Sequence, residues 1–403
     1  MKAASGKHQQ WTRIAVRTIV TVAAAVGLWL LLKFLLPLNL HLFDPFNEAL
    51  DNYQLTDLYF NIHRTFTKTD IQDAAATDIV TIDIADLRTR SEVAELLQRV
   101  ADAEPKIVAL DVIFGDATAV TSTENDSLVS ALCRLPNLVA ATNMVPGTDT
   151  TLFVERSFFA EAEWVTEASS NLQYGVVRYF SPLLVFGTDT LTSFAKQIAD
   201  MAGISMPATT DYQLIDYTLA EGICLNATEQ WDAGYLKEKI VLIGDRRDLR
   251  DRFTIPVTLH GETSIPGIDI HRQILATASS GHLFHKTPRW IEVMTIILIM
   301  LITALICNII RVFGIRSNHL SDTAIDWLIF IMQLCFILPT LIVAYALMWG
   351  CHMLFGVEEL LVFFGLYEFI DKLLYNIYKW ITGHLSLRRE LNTETIDTTN
   401  NNE

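Results

Sequence analysis

The sequence predicts an α/β extracytoplasmic domain with a mostly parallel sheet, together with four transmembrane helices, one N-terminal and three C-terminal. Two observations support this fold class. Hydrophobic residues make up 51% of the 403 residues, and the excess is concentrated in four long apolar segments. Between the first and second of these segments, short apolar runs alternate with stretches of helical periodicity, a pattern typical of α/β domains.

The four apolar segments lie at 14–36, 290–310, 327–349 and 352–374. Each has about the 20 residues that a helix needs to cross a bilayer. Because a basic cytoplasmic arm at 1–13 precedes it, the first segment could be a cleaved signal peptide. We predict an uncleaved anchor instead, because the following sequence LPLNLHLFDP has no small-x-small cleavage site.

Basic residues predict the orientation of these helices, since lysine and arginine are enriched on the cytoplasmic side of membrane proteins. Besides the N-terminal arm, they flank the apolar segments at Arg311, Arg316, Lys379, Arg388 and Arg389. Four crossings place all of these groups on one side. We therefore expect a multi-pass protein of the plasma (inner) membrane with both termini inside and a domain at 38–289 outside.

This outer domain is acidic. Of the 46 acidic and 30 basic residues of the chain, 35 and 19 lie at 38–289. Nucleic acid and anionic lipid surfaces are poor partners for such a domain. The domain also contains Cys133 and Cys224, which could pair in an oxidising compartment or equally remain two free thiols.

Short apolar runs predict the strands of the outer domain, at 79–84, 106–114, 137–142 and 239–244. Continuous apolar runs of this length suit strands buried on both faces. Between the first two runs lies a helical pattern for which we predict Ser91 as the N-cap and Pro105 as the exit. Strands joined by such a helix run parallel. Similar patterns at 127–135, 192–203 and 267–282 predict further helices, the last one ended by Gly281.

Six aspartates lie near or just beyond the carboxyl ends of the predicted strands, and we refer to them as the acidic edge: Asp83, Asp86, Asp111, Asp116, Asp245 and Asp251. Ligands of open parallel sheets bind outside the carboxyl ends of the strands. A carboxylate cluster there could hold Mg²⁺ or Ca²⁺. We favour helix caps and ion-pair partners for the nearby arginines, because charge clusters are often structural.

Other sites are disfavoured by spacing. The loop GDRRDLRD, 244–251, has one glycine, whereas a phosphate cradle needs several. His282 and His285 lack a third ligand at a zinc spacing. Ser264 and Ser279 do not lie in a Gly-x-Ser-x-Gly elbow. We therefore predict no catalytic residue, no metal site and no cofactor.

Five segments carry a resemblance to a known family: QLTDLYFNIHR (54–64), IVTIDIAD (79–86), PKIVALDVIFGD (105–116), YGVVRYFSPLL (174–184) and the stretch from LKEKIVLIGD through IPGIDIHRQILATASSGHLFHKTPRW (236–290). With the order of the apolar segments, the chain resembles the CHASE family of type 2 over 51–374. These are the sensory extracellular domains associated with cyclases and histidine kinases. The chain departs from many members at DLRTRSE, where the first helix follows without a longer loop.

The resemblance implies a bacterial membrane-anchored sensor or accessory subunit. It would detect an unknown small ligand and pass a signal to a separate protein or to another copy of the chain, without being an enzyme itself. Two alternatives stay open at this point. One is a metal-dependent extracytoplasmic hydrolase using Asp83, Asp111 and Asp245, and the other is a membrane scaffold that senses nothing.

In the second half of the fourth apolar segment and its extension, 360–382, polar residues recur at spacings of three and four, so one helical face would carry Glu368, Asp371, Lys372, Asn376 and Lys379. We call this face the coupling stripe. It either meets headgroups and water or docks a partner. The polar tail at 383–403 is expected to be disordered. Since members of the family usually end in a kinase or cyclase, the expected output lies on another chain.

Overall fold

A computed structural model describes residues 2–35, 54–67, 78–115, 118, 121–135, 137–146, 152–187, 189–219, 222–259, 262–317 and 322–354, with four more at 369, 370, 373 and 377. Asp116, the coupling stripe, the tail and most of the segment at 352–374 lie outside the described residues. The chain divides into two compact units. One, here called the α/β unit, is Ala49–His285, and the other combines Met1–Glu48 with Lys286–Glu403.

The helices are α1 (Lys2–Leu35), α2 (Leu55–Thr67), α3 (Arg90–Asp102), α4 (Ser122–Leu132), α5 (Phe194–Ala202), α6 (Gly267–Ser279), α7 (Arg289–Ser317) and α8 (Asp322–Cys351). The strands are β1 (Ile79–Asp83), β2 (Ile107–Asp111), β3 (Leu138–Pro146), β4 (Leu152–Glu155), β5 (Val165–Ser169), β6 (Tyr179–Phe180), β7 (Leu183–Phe186), β8 (Asp189–Thr192), β9 (Gln213–Leu214), β10 (Ile223–Asn226), β11 (Ile240–Gly244), β12 (Arg252–Leu259), β13 (Glu262–Pro266), β14 (His285–Lys286) and β15 (Met353–Leu354).

Seven of the described strands form the main sheet, which confirms the predicted α/β fold with a mostly parallel sheet. The order is β10-β1-β11-β2-β3, with β5 also paired to β3, and all of these neighbours are parallel. Strand β4 pairs antiparallel with the far end of β3. Strand β11 comes late in the chain but lies between β1 and β2, so the central strands are buried along their whole length.

Helices cover both faces of the sheet. Because side chains of a strand alternate between the faces, Val80, Ile82 and Leu110 pack with α3 and α4 in one hydrophobic core. The other face is covered by α5, which contacts β2, β3 and β5, and by α6, which contacts β1 and β11. Helix α6 is buried over almost its whole length, from Gly267 to Ala278. It is therefore a core helix and not a surface one.

The N-cap predicted for α3 is wrong by two residues. Thr89, and not Ser91, caps the helix: its hydroxyl accepts from the backbone N–H of Glu92, while Glu92 Oε2 accepts from the backbone N–H of Thr89 at 3.0 Å. Only a residue three positions before the glutamate can form this reciprocal capping box. The termination of α6 is as predicted, with Gly281 in the left-handed region just beyond its end.

The charged loop after Gly244 extends to the start of β12 at Arg252. A single 3-10 turn at Leu249–Asp251 leads directly into β12, which forms an antiparallel hairpin with β13. The charged residues are therefore concentrated in a tight turn between two strands. In the same unit, the thiols of Cys133 and Cys224 are both free and exposed.

The other unit contains the long apolar helices. Two described stretches, Trp290–Arg311 and Trp327–Cys351, are long and apolar enough to cross a membrane by length and composition. A shorter apolar stretch, Ile14–Leu28, lies within α1. Helix α1 packs against α7, and the buried Asn308 side chain donates to Thr18 Oγ1 at 3.0 Å. Such interhelical hydrogen bonds are typical of helices packed in a bilayer.

Candidate functional site

The ends of three neighbouring strands define the acidic edge. The parallel register aligns Asp83 on β1 with Gly244 on β11 and Gly244 with Asp111 on β2. The structure thus brings Asp83 and Asp111 to the same edge, on either side of β11. They meet there because β11 inserts between β1 and β2, which the sequence does not reveal.

Two of the acids are held by the loop that follows β11. Asp83 Oδ1 accepts from the backbone N–H of Ala85 at 3.0 Å and from that of Arg246 at 3.1 Å. The guanidinium of Arg247 binds both oxygens of Asp86, at 2.6 and 3.0 Å. This bidentate pair, with a hydrogen bond from Asn226, lowers the pKa of Asp86 from its ordinary value.

Asp245 shapes the turn itself. Its Oδ1 accepts from the backbone N–H groups of Arg247 at 2.8 Å and of Asp248 at 3.2 Å, the pattern of an Asx turn. Asp248 in turn caps the 3-10 turn through the N–H of Arg250. These carboxylates are acceptors for their own loop, which leaves them less able to bind an external ligand.

Asp111 and Asp251 differ from the other acids. Burial raises the pKa of the Asp111 carboxyl to about 7, and no donor or cation among the described residues offsets it. Burial, followed by repulsion from Asp111, raises the pKa of Asp251 to about 7, although the N–H of Gly267 at the start of α6 donates to it. A methyl group at Gly267 would lie 2.7 Å from Asp251 Oδ1, so the carboxylate approaches the helix closely.

No set of three or more His, Cys, Asp or Glu side chains in the described part of the chain is arranged to hold a metal ion. Among the described acids of the edge, Asp83 and Asp245 accept loop hydrogen bonds, Asp86 pairs with Arg247 and Asp251 accepts from the N-terminus of α6, whereas Asp111 has no such contact.

Sequence reasoning missed a buried acid next to this edge. Asp269, in the first turn of α6, is 4% exposed and binds the guanidinium of Arg246 at 2.7 and 3.0 Å. Arg246 also contacts Cys224 Sγ at 3.1 Å. The charged loop is thereby fixed to the core helix as well as to the sheet.

A second buried ion pair joins two of the segments that carry the family resemblance. Arg178 binds Asp57 of α2 through Nε at 2.8 Å and through a terminal nitrogen at 2.7 Å. The two side chains are 3% and 12% exposed. Next to them, Tyr179 donates its hydroxyl to Gln54 Oε1 at 2.7 Å. These contacts anchor β6 to α2.

Strand β6 forms part of the wall of a cavity of about 390 Å³ on the side of α5 and α6. Buried residues form its floor: Phe180, Ser181, Ser193, Ala195, His271 and Ile274. Three exposed side chains, Tyr174, Val185 and Tyr212, surround its mouth. A mostly apolar cavity with a few polar groups is the usual form of a small-molecule site, and we call it the aromatic cavity.

His271 is the unusual member of this cavity. It is 3% exposed and its Nε2 lies 3.1 Å from the carbonyl oxygen of Ser170. Burial lowers the pKa of His271 to about 4, so the ring is neutral at physiological pH. Its Nδ1 has no hydrogen-bond partner among the described residues. Buried polar atoms without partners are rare and often mark function.

The aromatic cavity was not predicted from the sequence. Its residues come from β3, β6, β7, α5, α6 and the connecting segments, and the most distant of them, Met144 and Ile274, are about 130 positions apart. One local signal was available: a histidine inside the apolar pattern of 267–282. A lone histidine in such a pattern is more often a satisfied core residue, so spacing alone does not identify it.

Comparison with known proteins gives one family. The family model described as CHASE2 domain matches residues 20–306. No curated protein and no solved structure matches the chain.

Proposed function

The chain belongs to the CHASE2 domain family of sensory extracellular domains, and on this premise we propose that it is a membrane-anchored extracytoplasmic sensor that signals to a separate partner protein. The observation that carries the proposal is the family match itself, which covers most of the chain. The aromatic cavity supports it, because a sensor of a small molecule needs a preformed concave site.

The proposed anchorage uses four membrane helices with both termini in the cytoplasm. Its support consists of the two described helices of sufficient length, the packing of α1 on α7 and the distribution of basic residues. Reporter fusions after Gly281 and after Arg389 test this arrangement. We expect a periplasmic signal from the first fusion and a cytoplasmic signal from the second. Signals from the same compartment would refute the four-helix topology.

A hydrogen-bonded path leads from the cavity toward the C-terminal end of the α/β unit. Gln273 and Thr277, on the same helix as His271, bind the backbone of the fully buried Asp216 at 2.7 and 3.0 Å. The carboxylate of Asp216 lies 3.0 Å from Nδ1 of His282. Since the apolar segment at 290–310 begins eight positions later, a shift of α6 has a short route to the membrane anchor.

The partner contact is proposed at the coupling stripe on sequence grounds. Replacing Glu368 and Lys372 together by leucine removes the charges and keeps a helix-forming, apolar surface. We expect the variant to remain in the membrane while a partner, or a second tagged copy of the chain, no longer co-purifies. If every association persists, the stripe is only an interfacial face.

We further propose that the domain is not an enzyme. The loop hydrogen bonds of Asp83 and Asp245 support this, because a metal-dependent hydrolase would need those oxygens for its ions. The purified protein with Mg²⁺, Mn²⁺ or Ca²⁺ should not hydrolyse phosphoesters above a metal-only blank. Metal-dependent hydrolysis that the Asp111→Asn substitution abolishes would contradict this proposal and support the alternative of a hydrolase.

A further inference from the structure

The lining of the aromatic cavity restricts the charge of what it can hold. No aspartate, glutamate, lysine or arginine is among the described side chains that line it. A charged ligand would lose its hydration without gaining a counter-charge, which is strongly unfavourable. The lining therefore selects uncharged molecules.

Two polar side chains of the inner lining, Asn171 and Ser181, are occupied by the protein itself. Asn171 uses its whole hydrogen-bonding capacity: Oδ1 accepts from the Met144 N–H and from Ser169, and Nδ2 donates to Asn143 and to the Met144 carbonyl. The Ser181 hydroxyl proton is directed at the carbonyl oxygens of Leu183 and Thr210. These groups support the wall and have little left to offer a ligand.

Among the buried polar groups of the lining, His271 differs, and its tautomer follows from its neighbour. The carbonyl oxygen of Ser170 can only accept, so Nε2 of His271 carries the proton and donates to it. In a neutral imidazole the other nitrogen then has a lone pair and no hydrogen. Nδ1 of His271 is thus an acceptor, and in the described lining it is the buried polar atom that lacks a partner. Less than 1 Å² of this nitrogen is accessible in the structure, so a donor group of a ligand reaches it only when the side chains that cover it shift.

The mouth of the cavity adds a preference for shape. Tyr174 is 92% exposed, Val185 65% and Tyr212 61%, although each has a large apolar surface. Exposed apolar side chains gathered around a cavity mark a binding site more often than isolated ones do. Aromatic rings favour contact with other flat rings in stacked or edge-to-face geometry.

We propose that the aromatic cavity binds an uncharged, flat, mostly apolar small molecule whose single N–H or O–H group donates a hydrogen bond to Nδ1 of His271. The proposal rests on the sensor function for its biological meaning, since this molecule would be the signal. Binding itself is a property of the cavity and is measured separately.

The test uses the full-length protein in lipid nanodiscs and two fluorinated probes observed by ¹⁹F NMR. The probes 5-fluoroindole and 5-fluorobenzofuran have nearly the same shape, but only the indole has an N–H group. Empty nanodiscs measure partition into lipid. We expect the indole to bind the protein about tenfold more tightly than the benzofuran, the effect of one hydrogen bond to a buried group.

Three variants assign the binding to the cavity. Ala195→Leu fills the floor and should abolish binding of both probes. Tyr212→Ala should weaken both, whereas Tyr235→Ala, at a tyrosine of similar exposure that does not line the cavity, should change neither. His271→Phe should make the two probes bind equally. Retained binding of the benzofuran to this last variant shows that it is folded.

Other results overturn the proposal. These are equal affinity of the wild type for both probes, binding that survives Ala195→Leu, no binding of either probe, or equally tight binding of negatively charged 5-fluoroindole-3-acetate. Failure of the ligand proposal can be distinguished from failure of the proposed sensor function. If neither probe binds but the protein still changes its association with a partner, only the proposed class of ligand is refuted. A filled cavity with no effect on any partner refutes only the sensor.

Discussion

The acidic edge and the aromatic cavity lie in the same unit and differ in how their polar groups are satisfied. At the edge, Asp86 and Arg247 neutralise each other, and Asp83 and Asp245 accept hydrogen bonds from their own loop. In the cavity, charge is absent from the described lining, and one buried nitrogen of His271 is without a partner. The high density of charge in the sequence therefore marks contacts within the protein at the edge, whereas the unsatisfied buried atom belongs to the cavity lining.

The ion pairs of the two regions also differ in burial. Arg178 and Asp57, which hold the cavity wall, are 3% and 12% exposed, whereas Arg247 and Asp86 at the edge are 58% and 34% exposed. Removing one member of a buried pair leaves a charge without hydration or partner, but exposed pairs are screened by water. The two regions should thus respond very differently to equivalent substitutions.

The largest effect is expected from Arg178→Met. It leaves the Asp57 carboxylate uncompensated inside the protein and should lower the free energy of unfolding by about 3–5 kcal/mol. Denaturant unfolding of the full-length protein in nanodiscs measures the loss. The double variant Asp57→Leu with Arg178→Met should recover part of it, because no lone charge remains. A loss below about 1 kcal/mol would show that the pair is not buried as described.

Asp111→Asn tests the unusual carboxyl of the edge through pH. The folded pKa of Asp111 is about 7, above the value of about 3.9 expected in the unfolded chain. The folded state then binds more protons, so the contribution of Asp111 to stability is complete below pH 4 and is lost as pH rises to about 7. Because asparagine cannot ionise, the variant should be more stable than the wild type at pH 8, by about 1–2 kcal/mol.

Thermal unfolding of both proteins at pH 4, 6 and 8 checks this expectation. The stability difference should be small at pH 4 and grow steadily toward pH 8. A difference independent of pH, or a variant less stable at pH 8, would mean that the Asp111 carboxylate has a favourable partner in the folded protein.

Gly267→Ala tests the close approach of Asp251 to α6. The added methyl group would lie 2.7 and 2.9 Å from the two carboxylate oxygens, so the carboxylate must move away from the helix N-terminus. Loss of that contact should cost about 1 kcal/mol of stability. Gly115→Ala is the matched control, because nothing lies within 4 Å of its added methyl group and its stability should be unchanged. Equal effects of the two variants would contradict the contact.

The smallest effect is expected at the exposed pair of Asp86 and Arg247. The change of its stability contribution with pH has the opposite sign to that of Asp111. The hydrogen bonds from Arg247 and Asn226 lower the pKa of Asp86, so its contribution to stability is present above the unfolded pKa and is lost as pH falls through the folded pKa. Asp86→Asn should therefore lower the melting temperature slightly at pH 7 and leave it unchanged at pH 3. A higher melting temperature at pH 7 would place Asp86 in the same class as Asp111.

The central strands could be predicted from the sequence because burial on both faces imposes a local and continuous apolar pattern. The cap of α3 could not be placed as well, since Thr89 and Ser91 are both good N-caps and the choice depends on the reciprocal bond with Glu92. Helix α6 begins where it was predicted and ends three residues earlier, at Ser279, and its near-complete burial was not foreseen. Its polar residues, among them Asp269 and His271, have the spacing of a solvent-facing side, and only their buried partners explain why they lie in the core.

The sequence by itself determined the parallel α/β fold, the apolar helices and the family, because each depends on patterns within short segments or on their order. It also placed aspartates at strand ends. Only the tertiary structure decided which of them meet, because β11 enters between β1 and β2 from more than a hundred residues away. Only the tertiary structure forms the aromatic cavity, because its walls come from distant segments. The hydrogen bond from Nε2 of His271 to the Ser170 carbonyl likewise determines that Nδ1 is the acceptor. Partners across long sequence distances leave no local pattern, so only the fold brings the residues of this cavity together.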